Sequence, residues 1–368
     1  MSEYIGLHKN QLNTPVLVID KTKLLNNIHS MQEFAEAKGI GVRPHAKTHK
    51  CSKIAQLQLE AGSIGICVTK VSEAYELAKN KIKGILITSP IVSLNKMQIL
   101  VKVLKLAPDT MLIIDNLVNA QTINELLARH DLKLNVLLDI DGGIGRTGVV
   151  FTEVIEIAKQ LNKFSNLCLK GIQCYAGHIQ HIADIRLRTK ASKEILQKAG
   201  AIKQDLVDAG IECSIQTGSG TGTFSIDANI PTVSEIQPGS YTVMDQEYSN
   251  IEFADNKFLP AMTMLTTVIS TNQSTHVTVD AGTKAMYKVD TKPTIINQQN
   301  LIYDWDGFGD EHGKVMVINN GKLPKLGDVL ELVVGHCDPT INLFDKFYIT
   351  ENDIVIDCWE IDLRGKCQ

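Results

Sequence analysis

Gly84-Ile-Leu-Ile-Thr88, Met111-Leu-Ile-Ile-Asp115 and Asn135-Val-Leu-Leu-Asp-Ile-Asp141 decide the fold. Each is a short apolar run rich in Ile, Leu or Val, as expected of a strand covered on both faces. The same kind of run recurs outward, at Ile40–Lys47 and Ile64–Thr69 before them and at Leu169–Tyr175, Cys213–Gly218 and Glu235–Ser240 after them. Amphipathic segments of helical period lie between, at Thr22–Ala37, Ser72–Lys79, Thr152–Asn162 and Ile185–Ala209. Strand and helix in alternation predict parallel strands joined by crossover helices. Eight such strands over roughly 220 residues match an α/β protein of the (β/α)8 TIM-type barrel class, which usually takes about 250. A doubly wound open sheet would carry Gly-x-Gly-x-x-Gly after its first strand, and none stands there. The eighth run is the weakest, being short and interrupted by Pro238.

After Tyr248 the texture changes. Thr263–Ser270, His276–Val279, Val315–Ile318, Val329–Val334, Phe347–Thr350 and Ile354–Trp359 are β-rich runs separated by Asn, Gly, Pro and Asp, with no helix expected between them. They predict a mainly antiparallel β domain of about 120 residues. A length of 368 residues suits this division into two. With 44% hydrophobic and 21% charged residues, wholesale disorder is excluded. Thirty-seven basic against 41 acidic residues give a net charge of −4, which with no basic tail argues against nucleic-acid binding. No run approaches the ~18 apolar residues of a membrane span, and Met1–Asn10 is polar, so neither a membrane anchor nor a leader is expected. The eight cysteines form no Cys-x-x-Cys pair and read as reduced, cytoplasmic thiols.

Function in such barrels sits at the carboxyl ends of the strands, and the unusual residues fall there. The first strand leads into Arg43-Pro-His-Ala-Lys-Thr-His-Lys50, where strand alternation would put Arg43, His45, Lys47 and His49 on one face. The fifth ends in Asp139-Ile-Asp-Gly-Gly-Ile-Gly-Arg146-Thr-Gly148, glycines that admit a ligand beside a permanently charged fork, or equally a plain turn with a surface arginine. The sixth ends in Gln173-Cys-Tyr175-Ala-Gly-His178-Ile-Gln-His181; its two histidines could bind a metal or simply open a helix. After the seventh and eighth come Thr217-Gly-Ser-Gly-Thr-Gly222 and Gln237-Pro-Gly-Ser-Tyr241, in the position where these barrels hold a phosphate. A phosphate cradle on one side of the mouth and a lysine on the other suggest pyridoxal 5′-phosphate.

These motifs, with Thr14-Pro-Val-Leu-Val-Ile-Asp20, Asp280-Ala-Gly282, Asp310-Glu-His-Gly313 and His336-Cys-Asp-Pro-Thr340, resemble the alanine-racemase-like, fold-type III pyridoxal-phosphate enzymes. The likeness is to the branch of D-threonine aldolases and D-serine dehydratases and runs nearly the whole chain. It implies a barrel over residues 22–248, a β domain of residues 1–21 plus 249–368 carrying metal ligands, and a homodimer. It also implies Lys47 as the Schiff-base lysine and His181 as the base at the β-hydroxyl. Arg146 and Tyr175 are expected to hold the cofactor ring. Ser219, Gly220, Thr221, Gly239, Ser240 and Tyr241 are expected to hold its phosphate, and His336 and Asp338 to bind the metal.

The dehydratases have a His-x-Cys pair where this chain has His336-Cys-Asp338. Read as a strand, His336 and Asp338 share a face and Cys337 points away. Nitrogen plus carboxylate favours Mn²⁺ or Mg²⁺ over Zn²⁺. The expected activity is retro-aldol cleavage of D-threonine and related D-β-hydroxy-amino acids to glycine and an aldehyde. The alternatives are D-serine or D-3-hydroxyaspartate dehydratase, a plain racemase, and a non-catalytic pyridoxal-phosphate carrier; the last lacks a C-terminal β domain.

Overall fold

The apolar runs form strands in the expected order. In the computed structural model these are β2 (Gly41–Val42), β3 (Ile66–Val68), β4 (Ile85–Ile87), β5 (Met111–Ile114), β6 (Leu134–Asp141), β7 (Leu167–Tyr175), β8 (Ile215–Thr217) and β9 (Glu235–Ile236), preceded by β1 (Val16–Asp20). The structure describes residues 2–253, 258–319 and 321–368; residues 1, 254–257 and 320, all assigned from sequence to the β domain, lie outside it. Strands β3 to β8 form one parallel sheet in chain order, and β2 pairs in parallel with β9. Backbone bonds join the two pieces into a ring. Cys67 N–H donates to the Pro44 carbonyl and Ala46 N–H to the Cys67 carbonyl, both at 2.8 Å, while Ser234 N–H reaches the Gln216 carbonyl at 3.0 Å. Helices Lys21–Lys38, Val71–Lys79, Val154–Leu161 and Ile185–Asp208 stand where helical period foretold them.

The short eighth run closes this ring through only two paired residues, Glu235 and Ile236. A buried ion pair reinforces the seam. Arg43 Nε and Nη2 donate to the two Glu235 carboxylate oxygens at 3.1 and 2.9 Å, and Arg43 Nη1 donates to the Gly84 carbonyl. This corrects one expectation. Extended backbone ends near Pro44, and residues 46–49 turn, so the two-residue period is lost. Arg43 therefore points to Glu235, and His49, fully buried, bonds Gln58 at 3.3 Å. Only His45 and Lys47 of the four face the mouth.

The remaining strands are β10 (Met262–Ser270), β11 (His276–Val279), β12 (Thr294–Ile295), β13 (Leu301–Asp304), β14 (Gly313–Val317), β15 (Val329–Val333), β16 (Lys346–Glu351) and β17 (Ile354–Glu360). Strand β10 lies antiparallel to β1, β11 and β15, and β1 runs parallel to β16, so the N-terminal strand belongs to this second sheet. Two findings differ from the sequence reading. Strands β12 and β13 were not expected, and the stretch after His336 is a short helix, Cys337–Ile341. Among the described residues no helix is long and apolar enough to cross a membrane.

Candidate active site

A cavity of about 470 Å³ opens at the carboxyl ends of the barrel strands. His45, Lys47 and Thr48 line it after β2, Thr69 and Lys70 after β3, and Thr88 and Ser89 after β4. Arg146 and Thr147 come from the loop after β6, Gln173 and Tyr175 from β7, and His181 from beyond it. Ser219, Gly220 and Thr221 follow β8; Gln237, Gly239 and Ser240 follow β9; Tyr248 closes that side. His336 and Asp338 reach in from the β domain. Thus nearly every expected site residue faces one space. Tyr241 is the exception: its ring is buried against Phe258, and its hydroxyl meets Gln58 at 3.2 Å. Only its backbone N–H stays at the cradle, donating to Thr221 Oγ1 at 3.1 Å.

The cradle fits a phosphate. Ser219 Oγ is buried with no protein partner among the described residues. A Cβ at Gly220 would lie 2.5 Å from Gln180 Oε1, and one at Gly239 would lie 2.5 Å from Thr48 Oγ1, so side chains are excluded where a ligand needs backbone. Ser219→Ala is expected to weaken pyridoxal-phosphate affinity by about 1–3 kcal/mol, the cost of one charge-assisted hydrogen bond. The loss should fall on cofactor affinity more than on thermal stability without cofactor, because no protein donor or acceptor lies within ordinary hydrogen-bond distance of this hydroxyl among the described residues, although the buried Asp227 carboxylate is near enough to feel it. Equal cofactor affinity in wild type and variant, measured by fluorescence titration, would remove Ser219 from the cradle.

Opposite the cradle, Lys47 Nζ lies 5.9 Å from the Tyr175 ring centroid and the Arg146 guanidinium carbon 5.7 Å from it. Below them is a polar floor. Asp139 accepts from Gln173 Nε2 at 2.9 Å and Thr147 Oγ1 at 2.8 Å, and Gln237 Nε2 donates to Gln173 Oε1 at 3.1 Å. Burial pushes the Asp139 carboxyl up to about 6, against the lowering effect of those two hydrogen bonds. His181 stands at the mouth, its ring 4.5 Å from that of Tyr248 and 6.5 Å from that of His336. Partial desolvation lowers its pKa against the opposing charges of Glu247 and Asp245, which favours the neutral, proton-accepting imidazole at pH 7.

The corner around His336 is built differently from the sequence expectation. His336 caps the helix Cys337–Ile341 and Asp338 lies in its first turn, so strand alternation does not apply. The Cys337 thiol does not point away; Sγ donates to Asp338 Oδ1 at 3.4 Å, and Ser240 Oγ donates to the same oxygen at 3.2 Å. Cys337 is nevertheless wholly buried, whereas His336 and Asp338 line the cavity. Burial would raise the Asp338 carboxyl, but the Lys47 and His336 charges hold it below the usual carboxylate value. Burial would lower His336; its hydrogen bond to Asp245 and the charges of Asp338, Asp245 and Glu247 instead raise it to about 9. Ligand atoms of Asp245, His336 and Cys337 lie within 4.8 Å of one another. Asp245 was missed from sequence: a lone carboxylate some 90 residues before His336 carries no local signal. Its only clue is its place directly before the short helix Gln246–Ser249, as an N-cap.

A lysine past a strand end, two glycine-rich loops and a His–Asp pair reaching in from the second sheet meet at the mouth of this barrel. The chain belongs to the alanine racemase N-terminal-domain family, whose profile matches residues 19–247, and a putative serine dehydratase domain follows at residues 261–350. Within that family it is similar to D-threonine aldolase from Arthrobacter sp, 34% identical over 357 residues, covering 96% of this chain and 93% of the relative. It is similar also to 3-hydroxy-D-aspartate aldolase from Paracoccus denitrificans (strain Pd 1222), 34% identical over 98% of this chain and 94% of the relative. The crystal structure of D-threonine aldolase from Filomicrobium marinum superposes with a TM-score of 0.93, at 29% identity over 99% of this chain and 98% of that one.

Proposed function

We propose that this protein is a lyase that cleaves D-threonine and related D-β-hydroxy-amino acids to glycine and an aldehyde, using pyridoxal 5′-phosphate and a divalent metal ion. The observation that carries the reading is the convergence of Lys47, the phosphate cradle, His336 and Asp338 on one cavity. When bound, the cofactor supplies an electron sink for the pair released as Cα–Cβ breaks, and the ion supplies a Lewis acid at the β-hydroxyl.

The chain's own residues do the rest. Lys47 Nζ offers the amine that the cofactor's aldehyde takes, and Ser219, Gly220, Thr221, Gly239 and Ser240 hold the phosphate. Arg146 and Tyr175 flank the ring. His336 and Asp338 hold the ion, for which a nitrogen–carboxylate pair favours Mn²⁺ or Mg²⁺. His181 takes the β-hydroxyl proton at an imidazole nitrogen, directly or through water, as C–C cleavage turns that hydroxyl into a carbonyl. The reading includes a division into a barrel of residues 22–248 and a β domain of residues 1–21 plus 249–368, a homodimer, and a cytoplasmic location. The eight unpaired cysteines agree with a reducing compartment.

Product analysis tests the reading. Supplied with D-threonine, the holoenzyme should release glycine and acetaldehyde; chelation should stop this without loss of the cofactor's absorbance, and Mn²⁺ should restore it. A 2-oxo acid and ammonia, from D-threonine or from D-serine, would make the enzyme a dehydratase instead. That second reading is favoured by one observation, the serine dehydratase domain match over residues 261–350.

A further inference from the structure

Asp245 is fully buried between the barrel and the β-rich sheet, and its carboxylate accepts from three donors. Oδ1 accepts from Tyr248 N–H at 2.9 Å, which caps the helix Gln246–Ser249. Oδ2 takes both Cys337 N–H and His336 Nδ1, each at 2.9 Å. An ionised carboxylate only accepts, so His336 Nδ1 must carry the hydrogen in that contact. The lone pair of the neutral ring is then on Nε2. We propose that Asp245 is a positioning residue for the metal, fixing the tautomer and aim of His336 so that Nε2 serves as the ligand. Histidine ligands elsewhere are oriented in this way by a carboxylate on the second nitrogen. The proposal rests on the reading of His336 and Asp338 as ligands.

Two features separate this role from a merely structural one. The segment carrying Asp245 is tied to the β domain by backbone as well: Gln246 N–H donates to the Val334 carbonyl at 3.0 Å and Glu247 N–H to the Gly335 carbonyl at 3.1 Å. The junction therefore keeps its main-chain bonds when the carboxylate is changed. Glu247 is the other acid near the ring, but its Oε2 is 3.4 Å from Nδ1 and its side chain is partly exposed, so it is the weaker acceptor.

The test uses chelator-treated holoenzyme and calorimetric titration with Mn²⁺. Asp245→Asn presents one oxygen to three donors and favours the wrong tautomer. Asp245→Ser keeps a hydroxyl able to cap the helix but too short to reach His336. Both variants should retain the cofactor's absorbance and a single cooperative unfolding transition, at a lower Tm because buried donors lose their acceptor, while the Mn²⁺ Kd rises by about 10–100-fold. Cleavage at saturating Mn²⁺ should return close to the wild-type kcat. A Kd within about threefold of wild type in both variants, when His336→Ala has lost Mn²⁺ binding, overturns this proposal alone. Unchanged binding in His336→Ala overturns the ligand reading and this proposal with it. Loss of the absorbance or of cooperative unfolding in both variants also overturns it, since Asp245 would then serve the fold.

Discussion

Lys47→Ala is expected to abolish the cofactor's long-wavelength absorbance and to lower turnover by about 10⁴-fold or more, since on the proposed reading this side chain supplies the amine that links the cofactor. The lysine stands just past β2, where the chain has turned out of its extended run, and faces the cavity beside the Tyr175 ring. Among the described residues Lys70 is the only other lysine lining that space and so the natural comparison. Lys70→Ala should keep the absorbance. The measurement is a spectrum of each purified variant with added cofactor, followed by borohydride reduction and peptide mapping to locate the modified lysine. A band that survives in Lys47→Ala and disappears in Lys70→Ala would transfer the attachment point to β3 and undo the site as described.

The barrel was legible because its strands announce themselves locally. Ile85–Ile87 and Met111–Ile114 are apolar at every position, short and rich in Ile and Leu, as expected of strands buried on both faces. Strand β9 is two residues long, and its closure of the ring depends on Arg43, 192 positions away in sequence. No window contains both partners. The same distance effect hid Asp245, and it explains why Arg43 was grouped with Lys47 when its true partner was Glu235. The stretch after His336 failed for a different reason. Five residues are too few for helical period to show, yet Pro339 was a usable signal, since proline is accommodated in the first turn of a helix and interrupts a strand ladder. Lys47, His336 and Asp338 could be named from motifs, but their meeting is a property of the packed sheets.

That helix changes the argument for the metal without changing its expected outcome. Among the described residues Asp338 is the only carboxylate lining the cavity, held between Ser240 Oγ and Cys337 Sγ and drawn toward the Lys47 charge. Asp338→Ala removes the hard ligand and leaves His336 alone, so Mn²⁺ binding should be lost. Turnover of D-threonine should fall by about 10²–10³-fold, the equivalent of several kcal/mol of Lewis-acid assistance. Added Mn²⁺ should not rescue it, because affinity and not supply is missing. Cys337→Ser is the discriminating partner. The buried Cys337 side chain touches Asp338 as a donor, and a serine hydroxyl in its place can still donate, so cleavage should stay within about threefold of wild type. Parallel assays of both variants across a Mn²⁺ series decide the matter. If Cys337→Ser loses metal and turnover as completely as Asp338→Ala, the thiol is itself a ligand. The group formed by Asp245, His336 and Cys337 then becomes the metal centre, and its softer donor set favours zinc and elimination over aldol cleavage.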